Sequence, residues 1–412
     1  MPLPVSNNLT RRVLPLCCII FAGCNRTSSY APAASALSVI QQVDHIDALA
    51  KEPMIAELPD GSLFVSGYGQ PGPKLWKSAD HGATWSRVNV GTEADGAIGN
   101  SDVDLAVASD GTLYFVTMGY DRVKLEGTHI AIGTSRDAGA TWKWSMLTNA
   151  RFADRPWVEV APDGAAHVIW NDGSGVSHAV SHDHGASWVI GARINLQGGS
   201  SHFAIGPNGE MAVRVSPASA SGNKFEKQAD LIAVSTDGGR TWTERTVPGQ
   251  RTWTADSDRW VEPLAWDASG SLYHLWTEGT DVWLARSTDL GARWTTWRVA
   301  SAADTAYFPF LAARHSGELA ATWHTGTRAT LRWHAARITT STNGAQPRVE
   351  TSPPLMVDFL TRDAAGTAQH RSPGGEYIPV ALLRDGTIAA ATSIQNPEQQ
   401  RVGFTWWRFA PR

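Results

Sequence analysis

The octet Ser235-Thr236-Asp237-Gly238-Gly239-Arg240-Thr241-Trp242 decides the architecture, because the chain carries its pattern five times. The other copies are SADHGATW from Ser78, SRDAGATW from Ser135, SHDHGASW from Ser181 and STDLGARW from Ser287, the last with Arg293 in the Thr/Ser slot. Each reads as a hairpin turn. The Asp carboxylate accepts bonds from backbone N–H groups, the Gly supplies a positive φ, and the Trp fills the space beside the next strand. Between the copies runs a second repeat, a turn ending in Gly that opens a strand: Asp60-Gly61, Asp110-Gly111, Asp163-Gly164, Asn208-Gly209, Ser269-Gly270, Ser316-Gly317 and Asp385-Gly386. The seven glycines stand 50, 53, 45, 61, 47 and 69 residues apart, about the length of a four-stranded blade.

The pattern therefore predicts an all-β propeller of seven four-stranded blades, with six as the alternative, and no stretch shows helical periodicity. In each blade an inner strand precedes the Gly turn, a second follows it, a third ends in the octet and a fourth lies outermost. The last blade, from about Glu376, has three strands of its own, so Leu37 to Val43 are expected to supply the fourth and close the ring. The gap from Thr339 to Gly375 predicts an outer strand around Leu355 to Leu360 and a loop over one mouth of the channel.

Composition narrows the partners. The formal net charge is −4 with 18% charged residues of both signs along the chain, so no basic stripe for a phosphate backbone exists and nucleic acid is not an expected partner. Arg11 and Arg12 precede an apolar run, Val13 to Ala22, that is too short to span a bilayer and reads as a cleaved signal segment. Its end, Phe21-Ala22-Gly23-Cys24, resembles a bacterial lipobox, in which the Cys is lipidated and becomes the new N-terminus; the alternative is an ordinary signal peptide with Cys24 left as a free thiol. The expected organisation is a lipoprotein signal peptide at 1–23, a Ser/Thr/Ala/Pro-rich tether at 24–36 and a propeller at 37–412. The mature protein would be a monomer on the bacterial cell envelope, held to the membrane by lipid alone. Cys17 and Cys18 leave with the signal, so no disulfide is expected.

Five such octets at blade spacing resemble the bacterial neuraminidase repeat, or Asp box, of sialidases and their relatives, over nearly all of the mature chain. The resemblance implies a propeller glycoside hydrolase that needs no cofactor and acts on acidic glycans, or a non-catalytic relative that binds glycans or proteins. In the family an arginine set grips the sugar carboxylate, a Tyr backed by a Glu attacks, and an Asp serves as acid and base. Glu376-Tyr377 resembles the nucleophile pair, with Tyr377 nine positions before Gly386. The first arginine is replaced: the matching stretch is Lys51-Glu52-Pro53, and Lys attracts a carboxylate without forking it. The family's early acid also has no counterpart, since Gly67 to Lys74 contains no carboxylate.

Inner strands begin at one rim of a propeller channel, so residues several positions before each turn should converge there. Around the ring these are Lys51 and Glu52, Asp102 and Asp104, Asp154 and Arg155, His202, Asp258 and Arg259, Tyr307, then Glu376 and Tyr377. Two strings, Asp154-Arg155-Pro156-Trp157-Val158-Glu159 and Asp258-Arg259-Trp260-Val261-Glu262, nearly repeat and resemble strand openings of sialidase-like proteins. In the functional reading Tyr377, Glu376 and Asp102 are catalytic, with Asp102 or a neighbouring acid protonating the leaving oxygen. Lys51, Asp154, Arg155, Asp258, Arg259, His202 and Tyr307 bind the substrate. In the structural reading each Asp-Arg pair is a salt bridge between blades. A lyase chemistry with Tyr307 and His202 as base and acid is a third possibility. No metal site is expected, because His81, His182 and His184 occupy exposed turn slots without further ligands at a recognisable spacing.

Overall fold

A computed structural model describes residues 37–69, 71–216, 229–249, 261–327, 330–362, 365–366, 368–369, 375–376 and 378–411. The expected signal segment with Cys24, the tether, Asp258, Arg259 and Tyr377 lie outside them. Seven antiparallel blades form, so the count is seven and the six-bladed alternative falls. Blade 1 consists of Lys51–Glu57, Leu63–Tyr68, Pro73–Ser78 and Ser86–Arg87. Blade 2 is Ser101–Val107, Leu113–Asp121, Glu126–Ser135 and Lys143–Thr148; blade 3 is Ala153–Val160, Ala166–Asp172, Val176–Ser181 and Val189–Ile190. Blade 4 is Gly199–Ile205, Met211–Ser216, Leu231–Ser235 and Thr243–Thr246; blade 5 is Leu264–Trp266, Leu272–Glu278, Asp281–Ser287 and Thr295–Ser301. Blade 6 is Ala306–Ala313, Glu318–Thr325, Arg332–Thr339 and Arg348–Thr351.

Blade 7 joins Val380–Leu382, Ile388–Asn396 and Arg401–Pro411 to the first strand of the chain, Leu37–Ile46. That strand runs antiparallel to the last one, from Leu37 opposite Pro411 to Ile46 opposite Gly403. The outer strand of blade 6 departs from expectation: it falls at Arg348–Thr351, and Leu355–Met356 only extends the same edge. A tight turn explains the shift. Ser341 and Asn343 form a degenerate copy of the octet turn, with the Ser341 hydroxyl donating to Asn343 Oδ1 at 2.6 Å and the Gly344 N–H to the Ser341 carbonyl at 3.4 Å, so the chain doubles back early.

The octet turns share one hydrogen-bond plan. In the first, Ser78 Oγ donates to Asp80 Oδ1 at 2.7 Å and accepts the Gly82 N–H at 2.8 Å, while Thr84 donates to Asp80 through its N–H at 2.9 Å and its hydroxyl at 2.6 Å. Arg293 keeps the plan in the fifth copy, its Nε donating to Asp289 Oδ2 at 2.7 Å. These bonds hold the Asp80, Asp137, Asp183 and Asp289 carboxyls down at about 2, the Thr, Ser or Arg side-chain bond being the largest cause. The turn glycine meets the preceding blade: a Cβ on Gly82 would lie 2.1 Å from Trp406 Nε1, one on Gly139 3.1 Å from Phe64, and one on Gly239 2.5 Å from His178. The turns thus tie blade to blade as well as strand to strand.

Second strands are buried on both faces, Leu63–Tyr68 and Met211–Ser216 throughout, third strands are largely so, and fourth strands such as Ser86–Arg87 and Val189–Ile190 are exposed. The seam between blades 7 and 1 is aromatic: Trp85 packs edge-on against Trp406 at 5.1 Å and against Phe404 at 5.3 Å, and Trp76 lies 5.1 Å from Phe404. Inner strands of all seven blades line a central channel of about 270 Å³. Deleting residues 37–46 should leave the strand Arg401–Pro411 as a bare edge. We expect the truncated chain to lose its cooperative thermal transition and sediment as aggregates, and a monomer with an unchanged melt would show that the end-to-end ladder is dispensable.

Candidate functional site

Five inner strands begin with an irregular step in register, between Lys51 and Met54, Ser101 and Val103, Asp154 and Trp157, Ser200 and His202, and Tyr307 and Phe310. Such bulges re-aim side chains. Three of them place a non-glycine residue at positive φ directly before a proline: Glu52 at 46°, Arg155 at 49° and Phe308 at 51°. Proline has no N–H to give to a ladder, so it suits the unpaired step. Backbone held in this region carries strain that the surroundings must impose.

The re-aimed side chains meet at one mouth of the channel. Arg155 Nη2 contacts Glu376 Oε2 at 2.7 Å, and the Glu376 N–H donates to Glu52 Oε1 at 3.1 Å. Glu52 is buried at 6% exposure. Burial first, then the charges of Asp102 and Glu376, push its carboxyl up to about 8 against the opposing pull of Lys51 and Arg155. Glu52 is therefore held in its neutral form at pH 7. Lys51 Nζ lies 5.4 Å from the centroid of the Tyr68 ring, and Tyr68 stays a neutral phenol because burial and the same three carboxyl groups raise its pKa. Asp102 accepts a bond from the Ser101 hydroxyl at 3.1 Å. A carboxyl cluster from blades 1 and 2 and the approach to blade 7 is thus crossed by a guanidinium from blade 3. Gly375 is required here, because a Cβ would fall 1.8 Å from Glu52 Cγ.

Of the residues singled out from sequence, Lys51, Asp102, Arg155 and Glu376 gather at this mouth. Asp154 is buried on the same strand opening and acts electrostatically on Tyr120. His202 lies lower, in the channel wall, tilted against Trp157 at 4.8 Å and edge-on to Phe310 at 5.4 Å, with Nδ1 accepting the Leu264 N–H at 3.3 Å. Burial drives its pKa down to about 3, so it is a neutral packing residue there. Tyr307 stacks on His324 at 6.0 Å and its hydroxyl reaches the Gly326 carbonyl at 3.5 Å. His202 and Tyr307 are thus engaged with different partners.

The sequence places Glu52 at the rim beside Lys51 without assigning it a role, and does not single out Tyr68. A signal for Glu52 existed: Glu52, Asp102 and Arg155 each stand nine residues before their turn glycines Gly61, Gly111 and Gly164. The near-repeated Asp-Arg strings are out of step in this frame, since Arg259 precedes Gly270 by eleven. The acid of the second string does make an interblade bridge: Glu262 accepts from Arg214 Nε at 3.0 Å and Nη2 at 2.7 Å, with Arg214 fully buried. His81 and His184 take the left-handed slot of their turns, and His184 Nδ1 lies 3.2 Å from Asp110 Oδ2. Among the described residues no group of three or more His, Cys, Asp or Glu is placed to hold a metal ion.

Geometry and fold define the class: a seven-bladed β-propeller with an ionic mouth. No protein-family model matches the chain, and no curated protein matches it in sequence. Solved propellers are similar in fold. An ulvan lyase, a polysaccharide lyase bound to -[GlcA(1-4)Rha3S]-, is 11% identical with a TM-score of 0.52, covering 89% of this chain and 95% of its own. A catalytically inactive virginiamycin B lyase from Staphylococcus aureus with quinupristin is 13% identical with a TM-score of 0.52, covering 91% and 100%. YCF48 bound to a D1 peptide is 13% identical with a TM-score of 0.51, covering 92% and 96%. At these identities the likeness establishes the fold alone.

The buried titratable groups set a pH optimum for stability. Glu52, Asp104 and Glu159 are raised to about 8, 7 and 8, each mainly by burial, the last two along the narrow channel. Such carboxyls keep their protons longer in the folded state, so their contribution falls as pH climbs from the unfolded carboxyl range to the folded pKa. His167 and His334, lowered to about 4, and His178, His202 and His324, lowered to about 3, are all held neutral chiefly by burial. Their contribution is full above the unfolded value and is lost as pH falls below it. With more histidines than carboxyls, the melting temperature should peak between about pH 6 and 7. Calorimetry across pH 4 to 9 checks this: Glu52→Gln should flatten the alkaline side, and a melting temperature still rising at pH 8 in the parent chain would contradict the assignment.

Proposed function

We propose that the chain is an exported, lipid-anchored, sialidase-like enzyme that cleaves acidic glycans at its ionic mouth. The observation that carries this reading is the pairing of a neutral Glu52 with a Glu376 carboxylate held by Arg155. Two carboxyl groups placed in environments that keep one protonated and one charged are the working parts of glycoside hydrolysis. The Glu52 carboxyl gives its proton to the glycosidic oxygen as that C–O bond breaks. Glu376, next to it through its own amide, takes a proton from the water that adds to the anomeric carbon, and the two carboxyls then re-equilibrate with solvent. Asp102 keeps Glu52 protonated by its charge, and Lys51 meets the sugar carboxylate. Arg155, only 3% exposed, acts through Glu376. In the sialidase-like variant of this scheme Tyr377 supplies the nucleophile in place of water. A fold that also carries a polysaccharide lyase supports glycans as the ligand class.

One observation favours a second reading, a propeller that binds glycans or proteins without cleaving them: the guanidinium that should grip the substrate is already spent on Glu376. Detergent-solubilised protein incubated with a fluorogenic sialoside and a panel of uronic-acid polysaccharides separates the two. We expect turnover that declines as pH rises through about 8 and drops at least about a hundredfold in Glu52→Gln, an effect of the size general acid catalysis supplies. Binding without turnover across the panel would favour the binding module, and neither would dismiss glycans altogether. Export is tested separately: labelled palmitate should enter the chain in bacteria and fail to enter Cys24→Ser.

A further inference from the structure

A larger cavity, about 750 Å³, opens between blades 1 and 2. We propose that it is a subsite for a neutral sugar, so that the ligand is a mixed glycan with its acidic unit at the mouth and a neutral neighbour here. The proposal rests on the reading of the mouth as a glycan site, and three features carry it.

The first is position. Ser101 pairs with Met118, so Asn100 and Tyr120 stand just beyond that pair at the end of blade 2 where Asp102 enters the mouth. They are locked together, the Tyr120 N–H donating to Asn100 Oδ1 at 2.8 Å and Asn100 Nδ2 to the Tyr120 carbonyl at 3.2 Å. Tyr120 lines the cavity, yet its phenol feels the charges of Asp154 and Asp102. It is the wall between the two sites.

The second is that the cavity is preformed. The segment 88–100 that roofs it is pinned by Trp144 Nε1 donating to the Val90 carbonyl at 2.7 Å, by the Thr117 hydroxyl donating to the Ile98 carbonyl at 2.6 Å, and by Thr92 donating to Asp95 through its N–H at 2.8 Å and its hydroxyl at 2.7 Å. A site that needs no ordering keeps more of its contact energy as affinity.

The third is chemistry. His129 lies across Gly119, where a Cβ would come within 2.0 Å of the ring, so only glycine permits this floor. Nδ1 of the ring is 3.0 Å from the Thr128 hydroxyl, while Nε2 is buried without a hydrogen-bond partner. A flat ring, a phenol and bare backbone at Gly91, Gly99 and Gly119 suit a polyhydroxylated ring. Neither Lys nor Arg lines the cavity among the described residues, whereas Glu93 and Asp121 do. Lys124 offsets the Asp121 charge at 3.1 Å, which leaves the Glu93 carboxylate to favour a neutral ring over an anion.

Saturation-transfer NMR on the full chain, with methyl glycosides of glucose, galactose and N-acetylglucosamine beside free glucuronic acid as probes, tests the idea. At least one neutral glycoside should bind, with affinity weakened about tenfold or more by Thr128→Phe, which fills the cavity, and about fivefold by His129→Ala, but under twofold by Glu52→Gln. If Thr128→Phe does not fold, His129→Ala with an unchanged melt carries the same comparison. Neutral glycosides that do not bind, or that bind equally well to the cavity variants, overturn the subsite. Loss of neutral-sugar binding in the cavity variants, in a protein that turns over no glycan, would leave the subsite standing and remove the catalytic reading alone.

Discussion

A four-stranded blade whose middle strands are apolar on both faces cannot stand in water by itself, and every other feature of this molecule follows from the need to sandwich each blade between two others. A linear stack would leave two such faces bare, so the ring must close. It closes through the two ends of the chain, Leu37–Ile46 lying on Arg401–Pro411, with Trp76, Trp85, Phe404 and Trp406 packed at the seam. The candidate site inherits this closure directly. Glu376 leads into blade 7 and Glu52 opens blade 1, and the bond between them crosses the same seam as those tryptophans.

The fold was legible because its determinants are local. A Ser-x-Asp-x-Gly-x-Thr-Trp turn satisfies its own polar groups within eight residues, and a glycine at positive φ ends each inner hairpin, so both can be counted along the chain. Even the shifted outer strand of blade 6 had a local cause, the abbreviated turn at Ser341 to Gly344. The site was legible only in part, because its determinants are not local. That Lys51, Asp102, Arg155 and Glu376 lie near one mouth follows from topology. That Glu52, rather than Lys51, is the buried and protonated member depends on a bulge that breaks the alternation of side chains and on neighbours 50 to 324 residues away. Sequence alternation assumes a regular strand, and the strand starts here are irregular where it matters.

Two ion pairs in the ring differ in what they can do for the fold. Arg214 and Glu262 join adjacent blades 4 and 5, both partners are almost wholly enclosed, and the Glu262 N–H is further fixed by the Ser201 hydroxyl at 2.8 Å. Losing one partner of such a pair strands a charge and costs about 3–5 kcal/mol, which is reason enough for its presence. Arg155 and Glu376 differ in kind. They belong to blade 3 and the approach to blade 7, with blades 1 and 2 between them on the ring, so the contact cannot set the register of neighbours. Arg155 also sits at positive φ, and its partner is 29% exposed. A half-open pair is a poor way to gain stability, since water screens it from one side while burial penalises it from the other. It is a good way to hold one carboxylate charged beside another that burial keeps neutral, and that asymmetry of protonation is the premise of the proposed reaction.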